Sequence, residues 1–97
     1  MFDERFNELT NHIIHNGGNY QEWWVGFASS EEVMSVKAER WPEIQDLKIV
    51  LCNYPIALKL VDVLESKGLK SDTRIGDNAG NGVVIFRLNG IVSRPFL

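Results

Sequence analysis

The stretch Asn53-Tyr54-Pro55-Ile56-Ala57-Leu58-Lys59-Leu60-Val61-Asp62-Val63-Leu64-Glu65-Ser66-Lys67-Gly68-Leu69 decides how the rest of the chain is arranged. Its spacing predicts a helix over Pro55 to Lys67. Pro55 belongs in a first turn, where a missing N–H costs nothing. Asn53 or Tyr54 precedes it as the cap, and Asn is chemically the better one. Ala57, Leu60, Val61 and Leu64 recur at helical intervals and so face a core. Gly68 follows the last turn, where a left-handed residue closes a helix. Lys67 lies near the negative end of the helix dipole.

Working outward from that helix, the segment before it, Leu47 to Cys52, is short and largely apolar. It reads as a strand, central in its sheet. Upstream, Phe2, Phe6, Leu9 and Ile13 step by four, three and four, one face of a helix from about Asp3 to His15. Asp3 serves as its N-cap and Asn16-Gly17-Gly18 stops it. Asn19 to Ala28 holds Trp23-Trp24-Val25-Gly26-Phe27, aromatic and β-branched, hence a strand. Ser29 with Glu32 three residues on fits a capping box. The helix it opens carries Val33, Val36 and Lys37 and ends before Trp41-Pro42.

Downstream, Lys70 to Asn81 is a polar loop and Val83 to Leu88 a strand. Asn89-Gly90 is a two-residue hairpin turn that returns Ile91 to Ser93 as a fourth, edge strand. The order helix, strand, helix, strand, helix, strand, strand gives an α+β fold. It is a small, mainly antiparallel sheet of three to four strands packed with two to three helices. With 97 residues and no linker or repeat, the chain is one domain, 1–97.

Composition narrows the function classes. The apolar fraction, 44%, is that of a folded globule rather than a disordered chain. A chain this short has little room for a deep active-site cavity. The single cysteine, Cys52, excludes an internal disulfide and points to a reducing compartment such as the cytoplasm. No stretch approaches the roughly 20 apolar residues of a membrane span. His12 and His15 lie three apart but lack a third ligand at a convincing spacing, so they read as surface histidines, and neither metal nor cofactor is expected. Gly76, Gly80 and Gly82 do not sit between a strand and a helix in the order that phosphate cradling needs. Cys52, in an apolar strand, reads as inert packing.

Net charge is −3, but unevenly spread. Residues 1–46 carry nine acids against three bases, and residues 47–97 four acids against seven bases. Such asymmetry points to an interaction surface of one sign. The candidate partner-binding residues are Glu22, Glu31, Glu32, Glu39, Glu43 and Asp46. Glu31 and Glu32 also suit the positive end of their own helix, which is reason enough for them to be there.

The run Asn16-Gly17-Gly18-Asn19-Tyr20-Gln21-Glu22-Trp23-Trp24-Val25-Gly26-Phe27-Ala28-Ser29 resembles the opening of a small bacterial and phage family related to the GIY-YIG nucleases. Its members read Gly-Gly-Asn-Tyr, then Trp-Tyr-(Val or Ile)-Gly-Ile. The spacing from Ala57 to Gly68, the loop at Gly76-Asp77 and the strand from Val83 to Phe86 are similar to later elements of that family. The resemblance implies a nuclease site built from a tyrosine, an arginine on the phosphate and a glutamate holding a divalent metal. Trp24 stands at the tyrosine position here, Met34 at about the arginine, Glu39 near a histidine and Val61 near the glutamate. Tyr20 is retained, while Arg40 and Glu65 are displaced from the family positions. Valine offers a metal no oxygen, and methionine cannot stabilise phosphate charge.

These departures lead to a non-catalytic binding protein on a degenerate nuclease-like scaffold. The expected activity is that of a phage or mobile-element inhibitor of anti-CRISPR or anti-restriction type. Its acidic, DNA-mimicking surface would meet a basic DNA- or RNA-handling protein, a CRISPR effector being one such partner, with no direct contact to nucleic acid or membrane. The alternative is a nucleic-acid-binding module or diverged endonuclease. Its basic face would be Lys48, Lys59, Lys67, Lys70, Arg74 and Arg87, with tryptophans stacking on bases.

Overall fold

The structure, a computed structural model, describes residues 2–72 and 80–88. Helix α1 (Phe2–His15) leads through a 3-10 turn (Tyr20–Glu22) into β1 (Trp23–Ala28). Helix α2 (Glu31–Glu39), β2 (Ile44–Leu51), α3 (Tyr54–Ser66), β3 (Lys70–Ser71) and β4 (Gly82–Leu88) follow. The strands form one sheet in the order β2-β4-β1-β3. β4 runs antiparallel to both β2 and β1, and β3 runs parallel to β1. The α+β class is as the sequence predicts.

Alternation along β1 and β4 sorts side chains to two faces. Trp23, Val25, Val83 and Ile85 pack beneath α1 and α3 with Leu9, Ile13, Leu60 and Leu64. Ala28, Val84 and Phe86 pack on the other face with Met34 of α2. Among the described residues, two helices therefore cover one side and a single nine-residue helix the other. α3 is anchored as its sequence requires. The Asn53 side chain accepts the Ile56 amide at 3.0 Å, and Ala57, Leu60, Val61 and Leu64 are buried. Gly68 takes φ +119°, where a side chain would be strained.

Several expectations are corrected. Among the described strands β2 lies at an edge, and β4 and β1 are central. Only Val50 of β2 is fully buried, whereas β4 is buried from Gly82 to Phe86. Apolar content alone misplaced β2, because Ile44, Leu47 and Ile49 are only half covered, on the α2 face, and Leu51 is exposed. The fourth described strand is Lys70–Ser71, read in the sequence as loop. Lys70 and Ser71 pair with Trp24 and Val25, and the Asp72 amide donates to the Val25 carbonyl at 2.9 Å. The hairpin at Asn89-Gly90 and the strand Ile91 to Ser93 lie outside the described residues, and β4 is paired by β1 and β2 on its two sides.

Ser30, not Ser29, caps α2, its side-chain oxygen accepting the Val33 amide at 3.1 Å. The inward stripe therefore runs through Met34 and the half-buried Lys37 and Ala38, while Val33 and Val36 face out at 42% and 54% exposure. A Cβ on Gly82 would lie 2.6 Å from the Val50 carbonyl oxygen, so this glycine serves close strand approach rather than phosphate binding.

Candidate functional site

The β2 bulge is the first place where the predicted acids meet other elements. Between Gln45 and Lys48 the register shifts by one residue, and Asp46 adopts φ +57°. Asp is among the few side chains that tolerate this conformation. The extra residue keeps Ile44, Leu47 and Ile49 together on the α2 face, which strict alternation would not do. Arg87 of β4 holds the bulge in place. Its Nε and Nη2 donate to Asp46 Oδ2 at 2.9 and 2.6 Å, its Nη1 lies 3.6 Å from Glu22, and its guanidinium lies 5.6 Å over the Trp23 ring. His12 packs edge-on to Trp23, and its Nε2 donates to the Asp46 carbonyl at 2.7 Å. His12 is thus half-buried and structural rather than a surface histidine; His15 is exposed, as the sequence reading expects.

Asp46 and Glu22 therefore have their charge matched within the chain. So does Glu8, whose carboxylate meets Lys48 at 3.2 Å and Arg5 at 3.6 Å. Lys67 lies over the Phe6 and Tyr20 rings, and Lys70 over Trp24 with its ammonium donating to the Gln21 carbonyl. Folding brings the acidic and basic halves of the sequence together at these points. The bases read from the sequence as one basic face are largely engaged with acids and rings of the first half. Arg74 lies outside the described residues.

The other four predicted acids are placed differently. Glu31 and Glu32 form the exposed first turn of α2, Glu39 is its exposed last residue, and Glu43 is half-buried in the turn before β2. None of the four makes an ion pair or side-chain hydrogen bond among the described residues. Glu32, Val36 and Glu39 follow one stripe at steps of four and three, with Val33 one turn from Val36. Glu32 and Glu39 are about 10.5 Å apart along the axis. The outward face of α2 is therefore two exposed valines bordered by carboxylates. The sequence reading missed these valines as surface residues. The stripe Met34, Lys37, Ala38 and Trp41, at steps of three, one and three, was the available signal.

The positions that the nuclease resemblance singles out do not converge. Trp24 and Met34 pack on the α2 face, Val61 of α3 is buried on the opposite face of the sheet, and Glu39 ends α2. Tyr20 stands in the 3-10 turn with Lys67 above its ring. Among the described residues no three His, Cys, Asp or Glu side chains are grouped to hold a metal ion. Burial pushes the Cys52 thiol above its ordinary value, opposed by the nearby Arg5 guanidinium. Among the described residues no helix is long and apolar enough to cross a membrane. Searches of family models, curated proteins and solved structures find no match to this chain.

Proposed function

We propose that this chain is a non-catalytic binding protein whose α2 face docks on a basic, DNA-handling protein complex in a bacterial cytoplasm and blocks it, as an anti-CRISPR or anti-restriction inhibitor does. One observation carries the reading. Asp46, Glu22 and Glu8 are matched by Arg87, Lys48 and Arg5, whereas Glu31, Glu32 and Glu39 on α2, like Asp3 and Glu4 on α1, are exposed with no ion pair among the described residues, and the α2 acids lie beside the exposed Val33 and Val36. Exposed carboxylates beside exposed valines suit a partner that offers both positive charge and apolar contact.

Charge density limits how far the mimicry extends. B-DNA presents a phosphate about every 1.7 Å of axis, or about eight over the ~13.5 Å of a nine-residue helix. The helix α2 sets three acids, Glu31, Glu32 and Glu39, against Lys37. It is suited to occupying part of a phosphate-binding groove, with Val33 and Val36 supplying the rest of the contact. The test is a mobility-shift competition on a partner captured from bacterial lysate with the immobilised protein. Mutually exclusive binding of DNA and this protein is expected. A ternary complex in which both are bound would overturn the blocking mechanism.

A further inference from the structure

Tyr54, Leu58 and Asp62 follow each other at four-residue steps on the outer side of α3 and so share one stripe. Tyr54 and Leu58 are 41% and 42% exposed, and Asp62 is exposed with no ion pair among the described residues. Phe27 of β1 lies against Tyr54 with ring centroids 5.7 Å apart, which widens the apolar patch and steadies the phenol. Exposed Leu51 ends β2 three residues before Tyr54. The stripe thus has an apolar centre, a hydrogen-bond donor four residues before it and an acceptor four residues after.

That order is self-complementary. When two antiparallel copies of α3 meet across a twofold axis at Leu58, the residue four before the axis faces the residue four after it. Leu58 then packs on Leu58 of the second copy, and each Tyr54 phenol donates to Asp62 of the second copy. We propose that the outer stripe of α3 seats a second copy of this chain in this arrangement. The stripe offers a few side chains, against the roughly 20–30 residues a side of a standard interface, so association is weak and concentration-dependent. α2 lies on the other face of the sheet and stays free, so the dimer presents its acidic face twice. This inference is independent of what α2 binds.

The experiment joins sedimentation velocity over a concentration series with disulfide trapping in a Cys52→Ser background. Wild type should shift from monomer toward dimer as concentration rises. Leu58→Cys, on the axis, should cross-link at least about tenfold faster than Ser35→Cys, which is also exposed but on α2. Tyr54→Phe should weaken the dimer several-fold. Leu58→Asp should abolish it with the melting temperature nearly unchanged, because exposed sites tolerate substitution. A monomer at every concentration, a dimer indifferent to Leu58→Asp, or equal trapping at Leu58 and Ser35 would each overturn the proposal.

Discussion

Arg87 shows how a single side chain can organise a junction. It joins β4 to the β2 bulge through Asp46, to the 3-10 turn through Glu22, and covers the buried Trp23. Arg87→Leu strands the half-buried Asp46 carboxylate. It should cost about 1.5–3 kcal/mol in urea unfolding, the range for hydrogen bonds to charged groups. Arg87→Lys should recover less than half of that, because an ammonium cannot deliver two fixed N–H groups while stacking on an indole. Asp46→Asn should be tolerated better than Asp46→Val, since a β-branched residue is an outlier at φ +57°. None of this was legible in the sequence. Asp46 stood there as one of nine acids in the first half, and nothing local marked it as the residue that turns β2. Cys52 carries a second prediction at this scale. Desolvation raises its thiol in the folded state, so the neutral thiol's contribution is whole below the unfolded value of about 8.5 and fades as pH rises past it. Stability should therefore fall more between pH 8 and 10 in wild type than in Cys52→Ser, and iodoacetamide should label native protein more slowly than unfolded chain.

At the scale of elements, α3 was readable because every local signal agreed: Asn53, Pro55, the apolar spacing and Gly68 point to the same helix. Leu60 is fully buried, so Leu60→Ala should cost about 2–5 kcal/mol. A change below about 0.5 kcal/mol would place Leu60 outside the core. The second helix was legible in existence but not in phase. Two adjacent serines can each cap, and moving the cap from Ser29 to Ser30 carries the helix start with it. What faces the sheet is settled by the long side chain of Met34 fitting the pocket beside Phe86 and Val84, a tertiary choice. Ser30→Ala should destabilise by about 1 kcal/mol and Ser29→Ala by much less, a difference that thermal melts resolve. The short β3 strand escaped notice because two residues carry no periodicity, and only pairing with β1 makes them a strand.

For the whole molecule, the α+β class followed from element order, while the distribution of charge followed only from folding. Reading the halves separately predicted an acidic face and a basic face. In space, Arg87 and Lys48 return to Glu8, Glu22 and Asp46 of the first half, and the acids of α2 stay unmatched among the described residues beside the exposed Val33 and Val36. The nuclease-like positions split between the two sides of the sheet, which motivates the prediction that the pure protein does not cleave DNA. Supercoiled plasmid with Mg²⁺ or Mn²⁺ is the assay, and cleavage above background that disappears in Tyr20→Phe would refute it. The central claim, that α2 is the binding face, is tested most directly by moving the same charge to two places. Affinity for the captured partner is measured for wild type, for Glu31→Lys with Glu32→Lys, and for Asp3→Lys with Glu4→Lys. Both pairs lie in the exposed first turn of a helix and change net charge equally. The account predicts that the α2 pair weakens binding at least about tenfold more than the α1 pair. It also predicts that the difference shrinks as salt shortens the screening length below about 10 Å. Equal effects of the two pairs, or unchanged affinity on reversing Glu31 and Glu32, would contradict it.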